Sequence, residues 1–89
     1  MSGTVSYTTY DFSKVHIVPV IASFDTEGRM LPLYVRINGE SLKVHSAWLQ
    51  SEFSKFVYRC QVVDQGVLKP LVLTYHPHEN VWTIPIFNS

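Results

Sequence analysis

The sequence predicts an all-β domain. We expect about six antiparallel strands in two related three-stranded meanders, forming a small partly open barrel or sandwich. Three observations predict this. Runs rich in Val, Ile, Leu and Tyr recur at short intervals between clusters of Gly, Asn, Asp and Pro, as strands and turns do. No window holds apolar residues at helical spacing long enough for a helix. The best candidate for even one helical turn is AWLQSEFSKFV at 47–57. Finally, GRMLPL at 28–33 and GVLKPL at 66–71 share the frame Gly-x-x-x-Pro-Leu, each shortly after an aspartate, Asp25 and Asp64.

Residues 1–14, MSGTVSYTTYDFSK, are rich in Ser, Thr and Gly and are expected to form a flexible arm. Residues 15–89 form a single β domain, as the total of 89 residues allows for one domain only. The six strands are placed at 15–24, 30–37, 41–49, 56–63, 67–75 and 81–87. Asn38-Gly39 is the preferred pair for a two-residue hairpin turn, because both residues must take positive φ. Pairing across it sets Ile37 against Glu40, Val35 against Leu42 and Leu33 against Val44. One face of the hairpin is then apolar. The other carries Tyr34, Arg36, Lys43 and His45.

Aligning Asp64 with Asp25, with one residue deleted, brings the two Pro-Leu pairs into register, and one inserted turn residue then sets Glu79 onto Glu40. The shared frame reads as turn-and-strand grammar: glycine in a turn, proline at a strand start, leucine pointing inward. Beyond that frame the two halves differ. YVRINGESLKVH keeps a polar outer face, and VLTYHPHENVW does not. The first and last strands are apolar on both faces, yet each holds a proline, Pro19 and Pro85. Central strands reject proline, so both are expected at edges or at a barrel seam.

Composition narrows the function classes. Hydrophobic residues make up 46% of the chain and charged residues only 16%, against about 25% charged in ordinary domains. So small a domain cannot hide that much apolar surface by itself. The formal net charge is zero, which disfavours binding nucleic acid by bulk charge. The apolar run VHIVPVIASF is too short to span a membrane. Cys60 is the single cysteine, so neither an internal disulfide nor a cysteine-based metal motif can form.

Candidate chemistry is sparse. His76, His78 and Glu79 could contribute to a zinc site, but a third placed ligand is wanting and a solvated turn is the better reading. Cys60 alternates with Phe56, Tyr58 and Val62 as a small core residue does. Nothing resembles a nucleophile elbow, a phosphate-cradling loop or paired carboxylates. We therefore expect no catalytic residues, no metal and no cofactor.

The stretch PVIASFDTEGRMLPLYVRINGESLKVH, followed by CQVVDQGVLKPLVLTYHPHENVWTIP, resembles a group of short bacterial β proteins. Its most specific part is SFDTEGRMLPLYVR. The likeness covers about residues 16–86. It implies a small all-β fold in a bacterial, cytoplasmic setting and carries over no catalytic residue. The leading expectation is a non-enzymatic binding or assembly module that pairs with itself through apolar edge strands, with Val20, Trp82, Ile84 and Phe87 as anchors. The alternative is a small barrel that holds nucleic acid on Tyr34, Arg36, Lys43 and His45, since aromatic and cationic side chains on a β surface can stack and hold single strands.

Overall fold

Period-two alternation, broken by turn residues every eight to twelve positions, folds residues 15–86 into strands; these are the residues that the computed structural model describes. The strands are β1 (Val15–Val18), β2 (Val20–Phe24), β3 (Met30–Ile37), β4 (Glu40–Glu52), β5 (Lys55–Asp64), β6 (Val67–His76) and β7 (Val81–Pro85). All pairs are antiparallel and lie in one curled, half-barrel sheet ordered β1-β7-β6-β5-β4-β3-β2. The two meanders expected from the sequence are thus one continuous meander. Among the described residues no helix is long and apolar enough to cross a membrane.

Turn chemistry fixes the register. Asn38 and Gly39 take φ of 53° and 80°, and Gln65 and Gly66 take 53° and 79°. Both loops are two-residue turns with positive φ at both positions, whose twist matches that of the strands they join. The β3–β4 ladder runs Tyr34 to Lys43, Val35 to Leu42, Arg36 to Ser41 and Ile37 to Glu40, as the Asn38-Gly39 turn demands. The segment 47–57 is not a helical turn. It forms the two arms of the β4–β5 hairpin, paired as far as Glu52 and Lys55 and closed by Phe53 and Ser54. Pairing of β4 with β5 from Ser46 to Glu52 holds this segment extended.

The strand expected at 15–24 is broken at Pro19. β1 pairs with β7, whereas β2 pairs with β3. One stretch of chain therefore supplies both ends of the sheet. Proline has no N–H to give, and its ring restricts the residue before it. Its carbonyl still accepts from the Arg36 N–H at 3.0 Å, which carries the β2–β3 ladder up to the break. The seam reading thus holds for the first strand. The last strand is not at an edge, because β7 lies between β1 and β6. Pro85 is tolerated there because β7 pairs with β6 only from Val81 to Thr83, so at Pro85 only β1 is beside it.

The concave face holds the core. Val18, Val35, Tyr58, Cys60, Val62, Leu71, Leu73, Trp82 and Ile84 form one buried cluster. Tyr58 donates its O–H to the Met30 carbonyl at 2.5 Å. Since Tyr58 pairs with Leu49 of β4, its side chain reaches past that strand to the start of β3, and so ties the β2–β3 hairpin over the inner face. Burial raises the pKa of this phenol, so it remains a donor at neutral pH. The two Pro-Leu frames are not equivalent here. Leu71 is buried and Pro70 exposed, whereas Pro32 is buried and Leu33 exposed. A β-bulge at Leu33, opposite the step from Ile21 to Ala22, turns the first frame over by one residue.

Leu73 is completely buried at the centre of this cluster. Leu73→Ala should lower the unfolding free energy by about 2–5 kcal/mol in urea titrations, through lost transfer energy plus a residual cavity. Leu68→Ala, at an exposed position of the same strand, should change it by less than about 1 kcal/mol. Equal effects at the two sites would contradict the one-faced core.

Candidate functional site

Two kinds of surface side chain can do binding work: unpaired cations and exposed apolar groups. The polar set expected from the sequence comes together on the convex face of β3 and β4. Tyr34 lies directly opposite Lys43, and Arg36 opposite Ser41. His45 occupies a second bulge, where His45 and Ser46 together face Gln61. All four are exposed. Their charge is less divided than that of the remaining cations. Arg29 is held by Asp25 at 2.7 Å and Glu27 at 3.4 Å, Lys69 by Asp64 at 3.0 Å, and Lys55 by Glu52 at 3.7 Å. Arg59 donates from Nε to Gln50 at 3.0 Å. Among the described residues, Arg36 and Lys43 have no carboxylate at ion-pairing distance. Arg29 and Lys69 are thus compensated by carboxylates, whereas Arg59 meets a neutral amide.

The apolar anchors expected from the sequence are placed otherwise. Trp82 and Ile84 are buried in the core, and Val20 packs against it; Phe87 lies outside the described residues. Trp82 meets Tyr58 and Tyr75 ring to ring, with centroids 5.6 and 5.1 Å apart. Its apolar surface is spent inside the molecule, so Trp82 and Ile84 cannot also serve as an outer contact face. Two-sided apolarity led to the expectation that both strands are covered on both sides; β7 is buried along most of its length, but Ile17, Ile21 and Phe24 of the first strand are exposed. Curling of the sheet, invisible in the sequence, buries Trp82 and Ile84 within one chain.

The exposed apolar groups lie elsewhere. Phe53 at the tip of the β4–β5 hairpin is 96% exposed, and Trp48 on β4 is 67% exposed. Leu49 beside them is exposed as well. A second set, Ile21, Leu31 and Leu33, is exposed on β2 and β3. Sequence reasoning missed the hairpin because QSEFSK reads as polar punctuation. The available signal was Phe53 and Trp48 in a segment with no apolar partner run. Two shallow clefts of about 340 and 400 Å³ flank Pro19, one toward the Arg36–Gly39 end of β3 and its turn, the other toward Asn80–Trp82. Each runs along a side of the broken first strand that no other strand occupies.

The reactive side chains are held inside the structure. Burial pushes the Cys60 thiol up to about 11, so little thiolate exists at neutral pH. His76 is buried, not part of a solvated turn as the sequence implied, and shares a hydrogen bond of 2.8 Å with the Thr83 hydroxyl. Alternation places both on the convex face, where Thr83 pairs with Thr74. Among the described residues, no three His, Cys, Asp or Glu side chains cluster as metal ligands would.

Burial lowers the His76 pKa, opposed by the nearby Glu79 and helped by Lys55. The unfolded imidazole titrates at about 6.5. Between the depressed folded value and about 6.5 the unfolded chain binds more protons, so stability rises with pH in that window. The Tm should therefore fall as pH is lowered from neutrality through the ordinary histidine range. His76→Gln keeps a partner for Thr83 without a titrating group, and it should flatten that slope. An unchanged slope in the variant would show that His76 is not its source. Comparison with protein-family models, with curated proteins and with solved structures finds no match.

Proposed function

We propose that the protein is a non-enzymatic binding and assembly module that associates with itself, in a bacterial cytoplasm. The observation that supports this most is the β4–β5 hairpin. Its long arms present Trp48, Leu49 and Phe53 to solvent. A small domain that buries Trp82, Tyr58 and Leu73 in its core leaves these comparably large groups outside it. Covering one such side chain contributes about 1.5–3 kcal/mol, an appreciable share of the stability of a domain this size. The contact groups of this reading are therefore on the hairpin and are not Trp82 and Ile84, which are buried. The bacterial, cytoplasmic setting rests on the resemblance carried by SFDTEGRMLPLYVR.

A second reading has its own support. Tyr34, Arg36, Lys43 and His45 share one exposed face, and two of its cations have no ion-pair partner among the described residues. A single nucleic-acid strand could stack on Tyr34 with its phosphates near Arg36 and Lys43. Two cations give only a weak salt dependence, with a slope of roughly −1.4 in log–log form.

Light scattering should give a mass above the 10.2 kDa of one chain at micromolar concentration, with a Tm that rises with concentration. Trp48→Ser should reduce both while leaving the far-ultraviolet β spectrum unchanged. A single-chain mass at all concentrations, together with oligonucleotide anisotropy that Lys43→Ala weakens severalfold, would replace this reading with the second.

A further inference from the structure

The sheet has several stretches of strand with one side open, and they are not alike. β6 pairs with β7 only from Thr74 to His76, so Val67–Leu73 is open on that side; it carries Lys69 and Pro70. β3 pairs with β4 only from Tyr34 onward, so Met30–Leu33 is open toward β4; it carries Pro32. The seam between β1 and β2 carries Pro19. Proline and lysine are the residues that blunt an edge against pairing with another chain. β1 and β2, at the two ends of the sheet, are also open along one side without proline or lysine, but they are only 4 and 5 residues long, and very short edges resist pairing. The longest unprotected edge belongs to β4. Beyond Lys43 only β5 pairs with it, and its open stretch Ser46–Glu52, SAWLQSE, contains neither proline nor lysine.

The bulges at Leu33 and His45 lie at the level where β3 and β4 part, so a fork opens between the two strands. The β4–β5 loop closes on Glu52 and Lys55. A two-residue loop closes on a hydrogen-bonded pair. Alternation from there turns the backbone groups of Ser46, Trp48, Gln50 and Glu52 toward β5. Those of Ala47, Leu49 and Ser51 then face the open side.

We propose that this edge pairs with the same edge of a second copy, antiparallel about a two-fold axis at Leu49, making one sheet continuous across two molecules. This rests on the self-association reading above and names its contact. The edge is self-complementary in that register. Leu49 meets Leu49 of the second copy, and Ala47 meets its Ser51, so a large residue is flanked by small ones. Trp48 falls beside its Gln50, and Glu52 beside its Ser46. No like charges come opposite one another in the ladder. Three hydrogen-bonded residue pairs form, 47 with 51, 49 with 49 and 51 with 47. The same register sets Phe53 against His45 of the second copy, at the mouth of its fork beside Leu33. The most exposed aromatic of each molecule thus reaches the exposed leucines of the other. Covering both Trp48 and both Phe53 side chains removes roughly 600–1,000 Å² from water. With the paired strands, the contact reaches the about 1,200 Å² at which stable interfaces begin. A closed two-fold contact also uses each edge once and leaves none over.

Charge at the two-fold position tests this. Leu49→Lys and Leu49→Glu should each give the single-chain mass of 10.2 kDa by light scattering, from like charges meeting at the axis. An equimolar mixture of the two should recover twice that mass. Should either variant fold poorly, Leu49→Cys serves instead. It should form an inter-chain disulfide on mild oxidation, since directly opposed residues lie within disulfide reach, while the buried Cys60 of the parent chain should not. A wild-type monomer overturns both this contact and self-association. A wild-type oligomer that persists in both charge variants, or an oligomer in which the new cysteine does not cross-link, overturns the β4 contact and leaves self-association standing.

Discussion

Everything in the sheet depends on one strand having to serve two partners. Six consecutive hairpin-linked strands would otherwise form an open, twisted ribbon with a core exposed on one side. Here the chain before β2 runs on through Pro19 into β1, and β1 pairs with the last strand, β7. The two ends of the ladder are therefore held within one residue of each other, and the sheet must curl. Proline suits this point for a physical reason. The backbone there changes partner, so an N–H would have no ladder to join. The carbonyl keeps its place through the Arg36 N–H. Val18 and Val20, on either side of the break, then point into the same core.

Curling has a cost at the other side of the sheet. A sheet closing on itself cannot keep all strands in register over their full length, and bulges absorb the mismatch. Both bulges occur where β3 and β4 part company. Past them, β3 folds inward with β2, and Tyr58 fastens its start by hydrogen bonding Met30. β4 and β5 continue outward without β3. The projecting hairpin is thus a consequence of closure at Pro19 and not a separate appendage. Its exposed Trp48 and Phe53 lie beyond the reach of the core that the seam creates.

Much of this fold was legible in the sequence, and the reasons are local. Asn38-Gly39 dictated a turn with positive φ at both positions, and that turn dictated the β3–β4 register. Alternation marked Phe56, Tyr58, Cys60 and Val62 as one face; the last three are core, whereas Phe56 is exposed. Tyr34, Arg36, Lys43 and His45 were placed on one polar face for the same reason. The parts that were not legible are tertiary. A proline inside an apolar run says that a ladder is interrupted; it does not say that the two sides of the interruption pair with opposite ends of a sheet. Trp82 and Ile84 belong to a two-sided apolar strand, and whether their cover is the same chain or another depends on curvature. The bulge at Leu33 leaves no signature in GRMLPL, so the leucine expected inside is exposed and Pro32 is buried instead. QSEFSK is polar at every position but Phe53, which hides a hairpin whose importance is its length.

The distribution of proline and lysine along the open edges also bears on how copies of such a chain meet one another. Its net charge is zero and its charged fraction low, so general repulsion between copies is weak. Under those conditions an unprotected strand edge is a route to aggregation unless something occupies it. The seam, the start of β3 and the start of β6 each contain a proline, and β6 adds a lysine. Strand addition at those places is obstructed, and the open sides of β1 and β2 are only 4 and 5 residues long, so growth of an open-ended fibre has no second long edge to use. The β4 edge is the longest left receptive, and a symmetric pairing would saturate it. On this argument the same chain can be strongly apolar, nearly uncharged and finite in assembly, because its edges permit one contact and impede the others.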